Sequence, residues 1–216
     1  MIGDTIELNE NHLATAGKIL DLLKEQFPLL QNSGIAVGIA GESGSGKSVT
    51  AFALQKVLSG NGIKSLVLQM DDYFRLPPKS NHENRLLSLA HVGPQEVDLE
   101  KLSRNIRDFK EGKPVTEKPL VHYQENRILA EQLEISGIDI LIVEGTYIFE
   151  TGKLDYKIFI DRNYKDTYDN RMQRNRDEQS GFVEKVLDIE HHIIRNFKKD
   201  ADLILGKDYN PVIPES

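Results

Sequence analysis

The chain has 216 residues, 39% of them hydrophobic and 28% charged, a balance that can bury a sizeable core and excludes a disordered chain. Its 34 acidic and 27 basic residues leave a net charge of −7, which argues against non-specific binding to nucleic acid or an anionic membrane surface, though not against a local basic pocket. The absence of cysteine excludes disulfides, thiol nucleophiles and thiolate metal sites.

The opening MIGDTIELNENH is acidic and polar, so it does not read as a secretory signal. No apolar run approaches the roughly 18 residues that span a bilayer. The expectation is a cytoplasmic protein with one domain over 1–216, at a prior of roughly 150 residues per domain. Leu13, Ala16, Leu20, Leu23 and Phe27 fall at helical spacing and predict a helix from Asn9 to Phe27, closed by Pro28, within an N-terminal extension over 1–34. Ile35 to Ala40 is a short apolar run of the kind a buried parallel strand needs. A helix over Ser48 to Leu58 and a strand over Ser65 to Met70 follow. Tyr73 to His91 reads as irregular and polar. Asp98 is placed to cap a helix to Lys110, with Gly112 as its C′ residue. Leu120 to Ser136 reads as a short hairpin or an extended insertion. Strands over Ile138–Val143, Tyr156–Ile160 and Ala201–Leu205 alternate with a charged helix over Asn163–Gln179 and a second over Phe182–Lys198. The tail after Gly206 reads as a surface strap. This alternation predicts an α/β fold: an open, five-stranded parallel sheet with helices on both faces and a small lid at about 162–180.

The strongest chemical signal is Gly41-Glu42-Ser43-Gly44-Ser45-Gly46-Lys47-Ser48, which satisfies G-x-x-x-x-G-K-[ST] between an apolar strand and a helix. Glycines let successive N–H groups turn inward around phosphate oxygens, and the helix start adds its positive dipole end. Lys47 would reach the outer phosphates and the Ser48 hydroxyl would ligate Mg²⁺. Glu144 follows the run ILIV, at a strand end where a carboxylate can hold that metal; the alternative is a turn or capping role. Asp71 ends the second strand and could accept the proton of an attacking hydroxyl, or else form an Asx turn. Side-chain alternation allows only one of Asp71 and Asp72 to face the crevice. Arg162, Arg171, Arg174 and Arg176 could close over a nucleotide, or form a solvated face laced with acidic residues. The six histidines show no metal-ligand spacing and read as structural.

In combination, GESGSGKS, MDDYFR at 70–75, VDLEKL…FKEGKPV at 97–115, IVEG at 142–145, IFID at 158–161 and KKDADLIL at 198–205 resemble the uridine kinase and phosphoribulokinase group of P-loop kinases. The resemblance implies ATP, Mg²⁺ and transfer of the γ-phosphoryl group to a hydroxyl of a small molecule, with uridine or cytidine leading. It implies Asp71 as general base, Lys47 on the transferred phosphate, and the loop residues 41–48 with Arg171 and Arg174 on ATP. Ser48 and Glu144 would serve the metal. Acceptor contacts would come from Asp71, Tyr73, Phe74 and Arg75, and from His122, Tyr123 and Arg127. By analogy a homo-oligomer is expected. The chain departs from the group at His91-Val92-Gly93-Pro94, where uridine kinases carry F-D-H-P, and at Val121, where they place an aromatic against the base. Those departures keep a sugar, glycerate or a vitamin open as acceptor. A GTPase-type switch lacks its N-K-x-D motif here, and a transport or motor ATPase its LSGGQ-like signature.

Overall fold

The computed structural model describes residues 6–168 and 181–214. Helix α1 (Glu10–Gln26) starts at Asn9, whose side chain accepts from the His12 N–H, and buries Ala16, Ile19, Leu20 and Leu23. It leads into β1 (Ile35–Gly41), which is buried along its whole length. Helix α2 (Lys47–Gly60) returns the chain to β2 (Ser65–Gln69), and a 3₁₀ turn over Met70–Tyr73 follows. Next come α3 (Pro78–Leu87), α4 (Leu99–Lys110) and the strands β3 (Val115–His122) and β4 (Arg127–Glu134). The chain continues through β5 (Ile140–Glu144), β6 (Tyr156–Ile160), α5 (Gly181–Ile194), β7 (Leu203–Leu205) and β8 (Pro211–Val212).

The main sheet has the order β2-β5-β1-β6-β7-β8. Its first five strands are parallel, and β1 at the centre pairs with both β5 and β6. Alternation along these strands divides the core. Ile35, Val37 and Ile39, with Ile140, Ile142, Ile158 and Ile160, pack on α1 and α2. Ala36, Ala40, Leu141, Val143 and Phe159 pack on α4, the Met70–Tyr73 turn and the end of α5. The N-terminal helix is therefore built into one of the two layers.

Three expectations are corrected. Residues 73–91 contain α3, which its composition hid: Pro78 lies in the first turn, where a missing N–H costs nothing, and Asn81 is its buried residue, so no apolar stripe shows. The hairpin starts at Val115 rather than near Leu120, and β4 exposes every other residue or more, which weakens its pattern. The tail is more than a strap: β8 pairs antiparallel with β7, so a sixth strand finishes the sheet. Asp98 does cap α4, accepting from the Lys101 N–H, and Gly112 has φ +68° just beyond its end. The expected helix over Phe182–Lys198 is α5, continued by a 3₁₀ segment over Arg195–Asp200. Of the charged segment 163–179, residues 164–167 form a turn, while residues 169–180 lie outside the described residues.

Candidate active site

Strand β1 ends at Gly41, and residues 42–46 turn onto the start of α2. Gly46 sits at φ +101°, where a side chain is strained, and a Cβ there would lie 2.5 Å from the Tyr209 hydroxyl. The first N–H groups of α2 have no intrahelical partners, which suits an anion. Lys47 Nζ donates to the Glu42 carbonyl at 2.9 Å, folded back over the loop.

Two contacts from distant sequence brace this loop. The Tyr209 hydroxyl donates to the Ser45 carbonyl at 2.8 Å. Arg162 Nη1 donates to the Tyr209 hydroxyl at 2.7 Å, and its guanidinium lies 5.1 Å from that ring's centroid. The buried Glu42 carboxylate turns away from the loop's interior, accepting from the Tyr164 N–H at 2.7 Å and lying 2.6 Å from His191 Nδ1, which leaves only its backbone for the loop. Its neighbours there are a strand-end turn and α5.

Parallel pairing of β1 with β5 brings Ile39 level with Glu144, and so places Glu144 beside the loop. Ser48 Oγ donates to Glu144 Oε1 at 2.9 Å, and Gln69 Nε2 donates to the same oxygen at 3.2 Å. Burial pushes the Glu144 carboxyl upward, the Asp71 charge pushes it further, and Lys47 opposes the rise. A buried carboxylate raised by a second carboxylate is a place a cation would relieve. Among the described residues no three His, Asp or Glu side chains converge as a cage. One or two carboxylates with a hydroxyl, completed by phosphate and water, is the donor set Mg²⁺ takes with nucleotides, so the residues fit it.

The neighbouring aspartates part company in the turn after β2. Asp71 is exposed and lines a cavity of about 260 Å³ beside Ser43 of the glycine-rich loop. Asp72 is buried; it accepts from Lys118 Nζ at 2.8 Å and from the Val121 N–H at 3.1 Å. It therefore anchors β3, and of the two aspartates Asp71 is the one that faces the cavity. Phe74, Val121 and Tyr123 also line the cavity. Tyr73 does not: its ring is fully buried and its hydroxyl donates to Asn105 Oδ1 at 2.9 Å, because it follows Asp72 into the core. His122 alternates away from Val121 and Tyr123. Arg75 faces outward, 3.8 Å from Asp98, and Arg127 pairs on the surface with Glu125 at 2.5 Å. Arg171 and Arg174 lie outside the described residues.

The far wall of the cavity went unread in the sequence. Arg85 of α3 donates through Nε and Nη2 to both oxygens of buried Glu96, at 2.5 and 2.9 Å, and through Nη2 to Glu190 of α5 at 3.1 Å. Asn81 Nδ2 donates to Glu96 at 2.9 Å. Burial pushes the Glu190 carboxyl upward and Arg85 opposes it. One signal was available: Glu190 stands among Val186, Leu187 and Ile194 on the buried face of α5, an acid in an apolar stripe.

A glycine-rich loop at the end of a central parallel strand, flanked by carboxylates at two neighbouring strand ends, defines a P-loop nucleotide-binding protein. The chain belongs to the phosphoribulokinase/uridine kinase family, whose model matches residues 36–205. A uridine kinase of Staphylococcus epidermidis is 30% identical over 186 residues, covering 81% of this chain and 88% of that one. The bifunctional alpha-galactosidase/sucrose kinase of Mediterraneibacter gnavus is 28% identical over 210 residues; the match covers 91% of this chain but only 22% of that larger protein. Among solved structures, a possible uridine kinase from Bacillus stearothermophilus superposes with a TM-score of 0.64 at 19% identity, over 87% of this chain and 97% of that one. D-glycerate 3-kinase from Cryptococcus neoformans gives 0.61 at 15% identity, over 96% and 99%. This chain is an ATP-dependent small-molecule kinase.

Proposed function

We propose that the chain transfers the γ-phosphoryl group of ATP to a hydroxyl of a small uncharged molecule held in the cavity, with Asp71 as general base. The observation that carries this reading is the position of Asp71, exposed at the end of β2 on the wall it shares with Ser43. The acceptor oxygen forms a bond to the γ-phosphorus, the bond to the β,γ-bridging oxygen breaks, ADP leaves, and the hydroxyl proton passes to the Asp71 carboxylate. Lys47 swings from the Glu42 carbonyl to the phosphates, and the N–H groups of residues 42–48 hold their oxygens. Ser48 and Glu144 would hold Mg²⁺, which supplies neutralisation of phosphate charge. Use of ATP supports a cytoplasmic setting.

Uridine is supported as an acceptor by the relatives named uridine kinase, and cytidine by the resemblance in sequence alone. A sugar is supported by the sucrose kinase relative and by the hydrogen-bonding groups of the Arg85 wall. The test is ADP release: a small hydroxyl compound should raise it well above the acceptor-free rate, and hydrolysis indifferent to every acceptor would overturn the reading. Lys47→Ala should lower kcat/KM for ATP by about 10- to 100-fold, the worth of one charge-assisted contact. Its melting temperature should change little, since the Lys47 ammonium bonds the Glu42 carbonyl of the loop and its side chain belongs to neither core cluster. An unaltered kcat/KM would remove Lys47 from the nucleotide site.

A further inference from the structure

The Arg85 wall holds polar groups that its own network leaves unused. Nε and Nη2 of Arg85 are committed to Glu96 and Glu190, while Nη1 has no hydrogen bond among the described residues. Glu190 accepts from Arg85 through Oε1, and its Oε2 has no partner among them. Neither atom is among the sealed, unpartnered polar atoms, and both residues line the cavity. A donor and an acceptor thus stand side by side on one wall, fixed from behind by the buried carboxylate of Glu96. Hydroxyl groups both donate and accept, so two hydroxyls on adjacent carbons complement such a pair.

The charge of the cavity selects further. Among the described residues Arg85 is the one cation lining the cavity and Lys47 acts on Glu190 from the loop beside it, against the three carboxylates of Glu96, Glu190 and Asp71. A carboxylate or phosphate on the acceptor would meet surplus negative charge in a partly desolvated site. Leu76, Pro78 and Val121, which also line the cavity, offer no side-chain donor or acceptor, and the Val121 N–H is already given to Asp72. The carbonyls and N–H of a pyrimidine set there would lose water without replacement, whereas the C–H face of a sugar ring would not.

We propose that the acceptor is an uncharged sugar, gripped through adjacent hydroxyls by Arg85 and Glu190 while another hydroxyl meets Asp71. This rests on the phosphoryl-transfer reading above. The experiment measures ADP release by the intact chain with ATP and Mg²⁺ against glucose, fructose, galactose and their common disaccharides, uridine, cytidine, D-glycerate and fructose 6-phosphate. A neutral sugar should raise release at least about tenfold and give the highest kcat/KM of the panel. Glu190→Gln should raise that sugar's KM about tenfold, change kcat less than about threefold and leave the KM for ATP alone. A nucleoside or an anion with the highest kcat/KM overturns the proposal, as does a stable Glu190→Gln with an unchanged sugar KM. If that variant does not fold, the wild-type ranking decides. Calorimetric titration of the same compounds in the presence of a non-hydrolysable ATP analogue separates the two readings. Sugar binding without turnover overturns phosphoryl transfer and keeps the sugar site. Nucleoside turnover without sugar binding does the reverse, and silence in both assays overturns both.

Discussion

Asp71→Asn lowers kcat by about 10² to 10⁴ at saturating ATP and acceptor, the range a positioned proton acceptor contributes. The change keeps the shape of the side chain and removes its basicity. Asp71 is exposed at the cavity wall, so the variant melts within about 0.5 kcal/mol of the parent. The KM for ATP stays close to its original value, because the phosphates are held by the loop and Lys47. The measurement is kcat with a parallel thermal melt. A variant with unimpaired kcat would take Asp71 out of the reaction.

Asp72→Asn gives the opposite pattern, a loss of stability with the chemistry largely preserved. Its carboxylate and Lys118 are 3% and 8% exposed, and they lie 2.8 Å apart. Removing one member of a buried pair costs about 3–5 kcal/mol, because the other charge is left in a poor solvent. Here the lower figure applies: Lys118 keeps Glu131 at 3.3 Å and the Pro119 carbonyl at 3.1 Å, and Asn can still accept from the Val121 N–H. About 3 kcal/mol corresponds to a fall of about 6–12 °C in Tm for a chain of this size. Denaturant titration alongside kcat below the transition checks it. If Asp72→Asn melted like the parent but was catalytically crippled, and Asp71→Asn worked normally, the two roles would be exchanged.

The parts of this site legible in the sequence are those carried by contiguous residues. The glycine-rich loop, the strand-end acids Asp71 and Glu144, and the parallel strands read clearly because each needs only its neighbours: a turn, an apolar run, a switch to helical spacing. What stayed hidden depends on pairing across the chain. Arg85 and Glu190 are 105 residues apart, and Ser45 and Tyr209 are 164 apart. Tyr73 misled for a related reason. The family resemblance implied a cavity contact, but the 3₁₀ turn rotates it into the core onto Asn105, itself a polar residue in the buried face of α4. Helix α3 lacked a periodic stripe because its interior-facing residue is Asn81, which serves the cavity wall instead of the core.

The hairpin of β3 and β4 shares no ladder with the main sheet; its two strands bond to each other. It is tied down by Asp72 through Lys118 and Val121, by Asn105 and Asp108 at Thr116 and the Glu117 carbonyl, and at its turn by Asn126 to Lys79 and Ser80. These ties run through side chains and outside any ladder, so the hairpin can open as a unit while the main sheet stays intact. In native-state hydrogen exchange its amides should therefore trade for deuterium at a lower opening free energy than those of β1 and β5, whose release needs the whole sheet to come apart. Part of the lining of the cavity proposed for the acceptor rides on that unit, through Val121 and Tyr123. The free energy that protects the hairpin amides then also sets how often the cavity loses that lining, and so sets a ceiling on how tightly any acceptor is held when ATP is absent.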